Sequence, residues 1–303
     1  MDRRSFVGAL AAFGTIPGTL GVAGCASRPD AVAPDKEGRK FSAWDEVPIG
    51  RTGLRTSRLG LGTGVSAHNR SSGIVRRNGH DGAVKLVRAA YEKGIRYFDT
   101  ADSYGTHSVV REALAPFPRS SYTICTKYWY LKGGIPAEDH TDVVTSVERF
   151  LRELGTDYID IVQIHCVSQS DWPSALIPTM EGLEHLKKAG KIRAHGCSFH
   201  GATSLPLAPE IGWLDVAHVQ INPFGRSMGL PPDRTLEIVR KMRDAGKGVI
   251  GMKVLGVGSL AKEGKMDESI AWVLKNNAAD VLNIGILRLE EIDDLARRIA
   301  SVS

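Results

Sequence analysis

An Asp, a Tyr, a Lys and a His stand at or just past the ends of three apolar runs, and together they suit proton donation to a carbonyl at neutral pH. The runs are Gly94-Ile-Arg-Tyr-Phe-Asp99-Thr-Ala-Asp-Ser-Tyr104-Gly105, Thr123-Ile-Cys-Thr-Lys127 and Asp160-Ile-Val-Gln-Ile-His165. A free phenol, with a pKa near ~10, is a poor acid at neutral pH. An adjacent ammonium favours the phenolate, so Lys127 is expected to lower that value for Tyr104. Asp99 would keep Lys127 charged and in place. His165 would orient a carbonyl oxygen while hydride arrives at its carbon. Asp99 and Asp102 also raise the paired carboxylates of glycosidic chemistry, but the adjacent Lys127 argues for a salt-bridged Asp99.

These residues converge only if their strands lie parallel. Strand patterns fall at 59–62, 96–100, 122–127, 159–165, 192–198, 216–221, 248–253 and 281–286. Helical patterns lie between several of them, at 81–93, 141–154, 180–189 and 234–245. Four of these run into a Gly, at Gly94, Gly155, Gly190 and Gly246, a common helix stop. Such alternation implies βαβ units and a parallel sheet, and eight strands imply a (β/α)8 barrel. In that fold the active site lies at the C-terminal strand ends, where the four residues fall. No Gly-x-Gly-x-x-Gly follows a first strand with an acid about twenty residues on, which disfavours a two-layer dinucleotide fold.

The run from Gly94 to Gly105, with Lys127 and His165 in order behind it, resembles the aldo-keto reductases, and the resemblance extends from about Val47 to the C-terminus. It implies that Asp99, Tyr104, Lys127 and His165 form the catalytic tetrad. It also implies that a hairpin around residues 47–59 closes the bottom of the barrel, within a domain spanning 46–303.

The resemblance further implies a nicotinamide dinucleotide across the barrel mouth. Gly62 and Thr63 end the first barrel strand. Ser198, in Gly196-Cys-Ser198, matches the residue that holds the nicotinamide carboxamide, with Phe199 where an Asn often follows. Gln220 matches the Gln that meets the same amide. Lys253, Leu255 and Gly258 match the loop around the pyrophosphate. Arg288 is the remaining cation near a 2′-phosphate, since Gly285 and Glu291 stand where others are sought. NADP(H) is the family default and is expected over NAD(H), which stays open. Many members wall the substrate pocket with Trp, where this chain has Gly64 and Cys166, while Trp129 is retained. No long C-terminal substrate loop is expected after the 289–300 helix. A wider mouth favouring bulkier or polar small-molecule carbonyl or alcohol substrates follows.

Composition fits an enzyme. The 303 residues are 42% hydrophobic and 24% charged with a net charge of +5, within the globular range and without the Lys/Arg density of a nucleic-acid patch. Residues 1–25 are a separate signal. Arg3-Arg4-Ser5-Phe6 before a mildly apolar stretch resembles a twin-arginine export signal, with Asp2 where Ser or Thr is usual. Val22-Ala23-Gly24-Cys25 resembles a lipobox. Residues 26–45 read as a flexible linker. The implied location is periplasmic or membrane-anchored, with the membrane met only through this segment. Beyond Cys25, the cysteines are Cys125, Cys166 and Cys197, whose spacing argues against a disulfide scaffold. His195, Cys197 and His200 cluster around one strand, but neighbouring strand residues face opposite sides, so Cys197 should face the helices if Ser198 faces the cofactor, and no metal site is expected. The alternative to an oxidoreductase is a non-catalytic, nicotinamide-dependent sensor or docking subunit on the same barrel.

Overall fold

The computed structural model describes residues 40–303; the twin-arginine and lipobox patterns and most of the expected linker lie outside the described residues. A hairpin of β1 (Glu46–Pro48) and β2 (Arg55–Ser57) comes first. Then follow β3 (Leu59–Gly62), α1 (Gly73–Glu92), β4 (Tyr97–Asp99), α2 (His107–Leu114), β5 (Thr123–Tyr128), α3 (Val143–Leu154), β6 (Ile159–Val167), α4 (Trp172–Ala175), α5 (Ile177–Lys188), β7 (Ile192–Phe199), β8 (Val216–Gln220), α6 (Pro232–Asp244), β9 (Gly248–Met252), α7 (Ser259–Lys262), α8 (Met266–Lys275), β10 (Val281–Gly285) and α9 (Leu289–Ala300). Strands β3 to β10 form one closed parallel barrel, with β10 pairing back onto β3. The expected (β/α)8 architecture is therefore the observed one. Its alternation breaks once: between β7 and β8 there is only a 3-10 turn, Leu205–Glu210, with Pro209 inside it.

Alternation along each strand separates two cores. Phe98, Val162 and Cys197 face out into the layer shared with the helices. Tyr97, Cys125, Ile161, Val216 and Val281 face the barrel axis. Val47, Ile49 and Leu54 of the hairpin pack against these inward residues, so the hairpin plugs the N-terminal end. One step further up four of the strands the inward residues turn polar: Asp99 follows Tyr97, Lys127 follows Cys125, Gln163 and then His165 follow Ile161, and His218 follows Val216. The barrel is thus greasy at its closed end and ionisable at its open one.

Local chemistry explains the helix ends. Asp142 caps α3, its Oδ1 accepting from the amides of Val144 at 2.9 Å and Thr145 at 3.1 Å, and Gly155 ends it at φ +63°. Helix α1 starts eight residues before the expected 81–93 pattern and kinks at Gly79 (φ +69°). The polar stretch Arg76-Arg-Asn-Gly79 hid that first turn from a periodicity reading. Among the described residues, no helix is long and apolar enough to cross a membrane. Cys125 and Cys197 are buried free thiols, whereas Cys166 is only half-buried. It lies at φ +57° where the β6–β7 register breaks between Ile164 and Val167.

Candidate active site

Asp99 and Lys127, on neighbouring strands, meet as a buried ion pair. Lys127 Nζ donates to Asp99 Oδ1 and, at 2.9 Å, to the Thr100 carbonyl. Burial favours a neutral Asp99, yet the Lys127 charge, with His218 beside the carboxyl, overcomes it and holds Asp99 below its ordinary range. Burial likewise opposes a charged Lys127, and the Asp99 carboxylate outweighs it, raising the ammonium above its usual value. The pair is therefore ionised across the physiological range.

A third partner was missed by the sequence reading. His218 Nε2 lies 3.3 Å from Asp99 Oδ1. Its Nδ1 donates to Gln163 Oε1 at 2.7 Å, because the Gln163 amide NH2 is directed to the Val216 carbonyl at 3.3 Å. Asn283 Nδ2 approaches His218 Nε2 at 3.2 Å. The signal was available, since His218 is two residues before Gln220 and must face the same way.

Tyr104 ends a one-turn 3-10 segment, Asp102–Tyr104, and turns its ring into the mouth. Its hydroxyl is 3.5 Å from His165 Nε2, and Lys127 Nζ sits 5.1 Å from its ring centroid. Trp129 packs edge-on against His165 at 5.2 Å between centroids. All four tetrad residues thus gather at one rim. The expected acidification of Tyr104 is not what this arrangement does: burial pushes the phenol above its ordinary value and Lys127 only partly opposes it. Lys127 lies over the ring rather than at the hydroxyl, so its effect is diluted. Burial first, then the Lys127 charge, holds His165 well below 6.5, so a neutral imidazole faces the phenol.

Gly64, one of the places where a wider mouth is expected, leaves no open space. A Cβ there would fall 2.3 Å from the Tyr104 ring carbons. The volume that a large side chain would take is filled by the phenol itself. Gly64→Ala should push the ring aside and lower carbonyl turnover on the order of tenfold to a hundredfold, the scale of an ångström's misplacement. Unaltered steady-state kinetics in that variant would contradict the packing role.

Asp102 does not pair with Asp99. It points away from the mouth, to Arg149 at 2.9 Å, which removes the two-carboxylate arrangement of a glycosidase. The metal reading also fails at strand β7. His195 and Cys197 face outward, with His195 bonded to Glu184 at 2.9 Å and stacked on Trp213.

The candidate cofactor residues line the same face. Thr63 is buried, bonded to the Asp99 carbonyl at 2.9 Å and to Thr106 at 2.7 Å, so it braces the strand end that carries Asp99; Gly62 precedes it in β3. Ser198 accepts the Cys166 amide at 2.9 Å, keeping its own O–H to donate. Gln220 accepts the Gly229 amide at 3.1 Å through Oε1, which leaves its NH2 to donate elsewhere. Lys253 (φ +60°), Gly256 (φ +55°), Val257 (φ +57°) and Gly258 (φ +85°) form a run rich in left-handed residues, with Leu255 half-buried among them. Such backbone makes anion-binding concavities. Asn222, also missed, ties this loop down through the Lys253 carbonyl at 3.1 Å. His200 borders it: burial and then the Lys253 charge lower its imidazole to about 4. Arg288 caps α9 and is paired with Glu291 at 2.9 Å, so its charge is already engaged.

Comparison with known proteins agrees with this geometry. The model of the aldo/keto reductase family matches residues 58–300. The aldo-keto reductase YhdN of Bacillus subtilis is 30% identical over 190 residues, which cover 59% of this chain and 54% of that protein. L-galactose dehydrogenase of Arabidopsis thaliana is 30% identical over 224 residues, covering 71% of this chain and 67% of its own. The chain therefore spans about half to two thirds of the length of these relatives. An aldo-keto reductase structure from Pseudomonas aeruginosa superposes with a TM-score of 0.67 at 22% identity, over 86% of this chain and 97% of its own. One from Klebsiella pneumoniae, in complex with NADPH, gives 0.63 at 20% identity, over 88% and 91%. With a barrel closed by a hairpin, four converging residues at its mouth and a family match over most of its length, this chain belongs to the aldo/keto reductase family.

Proposed function

We propose that this protein is an NAD(P)-dependent oxidoreductase that transfers hydride between a nicotinamide dinucleotide and a small aldehyde, ketone or alcohol. The observation that carries the reading is the buried, ionised Asp99–Lys127 pair directly behind Tyr104 and His165. The dinucleotide, when bound, supplies or accepts the hydride. Ser198 and Gln220 each keep a donor for its carboxamide, and the left-handed Lys253–Gly258 loop suits its phosphates. Tyr104 then protonates the carbonyl oxygen in reduction, and His165 orients that oxygen. Lys127 stabilises the phenolate left behind, and Asp99 and Thr100 hold Lys127 in place. The test is turnover of a panel of carbonyl compounds with NADPH and NADH, followed by nicotinamide absorbance. A wild-type protein that binds dinucleotide but turns over no member of a broad panel would support the non-catalytic sensor instead.

NADP(H) is preferred over NAD(H) in this reading, with Arg288 as the discriminating cation. Because Glu291 already engages Arg288, the preference should be small. Glu291→Gln should favour NADPH over NADH about fivefold further, the scale of one partly exposed ion pair of ~1 kcal/mol. Arg288→Ala should erase the preference. Equal changes for both dinucleotides, measured by titration, would remove Arg288 from this role.

The N-terminal patterns support export by the twin-arginine route and lipid attachment at Cys25. Replacing Arg3 and Arg4 by Lys should retain the protein in the cytoplasm, and Cys25→Ala should release the mature domain from membranes. Fractionation of the two variants checks both steps, and normal export of the first ends the twin-arginine reading.

A further inference from the structure

Asp102 has no part in the chemistry above, yet it is a buried carboxylate two residues before the proton donor. Its Oδ1 accepts from Arg70 Nη2 at 3.0 Å and Arg149 Nη1 at 3.1 Å, and its Oδ2 accepts from Arg149 Nη2 at 2.9 Å. Both guanidiniums continue outward. Arg149 reaches Glu153 at 3.0 Å and Asp139 at 3.5 Å, and Arg70 reaches Asp139 at 3.1 Å and Glu153 at 3.5 Å. Glu153 is also bonded to His107 Nδ1 at 2.6 Å, and His107 Nε2 to Thr126 at 2.7 Å.

The cluster joins three loops of the open face with one helix. Arg70 lies in the 63–72 loop, Asp102 in the turn bearing Tyr104, Asp139 in the 129–142 loop and Arg149 on α3. The backbone repeats the connection. Arg70 N donates to the Ser103 carbonyl at 2.9 Å, and Asn69 N to the Gly134 carbonyl at 3.0 Å. Gly105, at φ +65°, sits so close that a Cβ would fall 2.2 Å from the Arg70 carbonyl oxygen. A single 3-10 turn is too short to hold its own position. What grips it from outside decides where the Tyr104 hydroxyl stands. Stability alone does not require charge here, since apolar packing commonly serves a buried site as well as an ion cluster does. A bidentate guanidinium instead supplies direction.

We propose that Asp102, gripped by Arg70 and Arg149, is the positioning residue that sets the Tyr104 hydroxyl over the barrel mouth and couples it to the two neighbouring loops. This rests on Tyr104 as proton donor, so its test includes a measurement that needs no activity. The protein is labelled at the tyrosine ζ-carbon, and the Tyr104 signal is identified by its loss in Tyr104→Phe. In Asp102→Asn and Arg149→Met that signal should shift or broaden while the other tyrosines hold. Arg149→Lys, the milder change, keeps charge but not the fork and should give an intermediate spectrum. Arg243→Met, which breaks a different ion pair (Arg243 to Asp280, 2.5 Å) at the far end of the barrel, is the control for mere destabilisation and should leave Tyr104 unmoved. In turnover, Asp102→Asn should lower kcat tenfold to a hundredfold, on the order of an ångström's misplacement, with dinucleotide affinity unchanged. A Tyr104 signal that is unchanged in Asp102→Asn and both Arg149 variants, or that moves equally in Arg243→Met, overturns the positioning role. Absence of carbonyl turnover in the wild type would end the proposed activity, and the spectra would still decide the positioning.

Discussion

Tyr104→Phe should lower the turnover of a carbonyl substrate by about 10²–10⁴-fold, the usual contribution of general acid–base assistance, and leave dinucleotide binding intact. The substitution keeps the ring, which fills the space beside Gly64 and packs edge-on against His165 at 5.5 Å. Only the hydroxyl is lost. The phenol sits high because burial disfavours its ionised form. A high pKa means that in the ligand-free site the proton stays on Tyr104, available for donation, and that transfer waits for a basic oxygen to form. Lys127 and the developing negative charge must then act together, so Lys127 matters most in the transition state rather than in the resting enzyme. Single-turnover kinetics with bound reduced dinucleotide isolate this step. If Tyr104→Phe reacts as fast as wild type, the donor is another group, and His165, 3.5 Å from the same hydroxyl, is the one to replace next.

The sequence disclosed the site further than it disclosed the site's surroundings, and the reason is physical. Strand period fixes which way a side chain points, so Asp99, Lys127 and His165 could be placed at one rim from apolar runs alone. The same rule already implied an inward His218 and went unused there. Distances across the barrel are another matter. That His218 touches Asp99 depends on how far β8 rises relative to β4. That Arg149 reaches Asp102, forty-seven residues away, depends on the packing of α3 against the open face. Neither is written in a local pattern. Gly64 shows the converse error. Its small size reads as empty space until the neighbour that fills the space is seen.

Lys127→Met should cost both activity and stability, and the stability loss should carry a distinctive pH dependence. The variant leaves Asp99 buried without its main counter-charge. Breaking one side of a buried pair typically destabilises by about 3–5 kcal/mol, which in a domain of this size corresponds to a melting temperature lower by roughly 6–20 °C. In the wild type, the Asp99 carboxyl lies below its ordinary value in the folded state. Its contribution is therefore present above the unfolded value near ~4 and is lost as pH falls through the folded one. Lys127 lies above its ordinary value, so its contribution is present throughout the neutral range and is lost only at strongly alkaline pH. Without Lys127 the sign at Asp99 reverses. Burial now dominates, the folded carboxyl titrates above the unfolded one, and the folded state takes up a proton as pH falls. The gap in melting temperature between wild type and Lys127→Met should thus narrow from pH 7 toward pH 4. Adding Asp99→Asn to Lys127→Met should recover part of the loss, because the stranded charge is gone, whereas His218 alone, 3.3 Å from Asp99, offers only partial relief. Calorimetry of the wild type, the single variants Lys127→Met and Asp99→Asn, and the double variant at several pH values measures the coupling directly. A gap that stays constant with pH, with no recovery in the double variant, would mean that Asp99 and Lys127 are not the ionised pair on which the proposed chemistry stands.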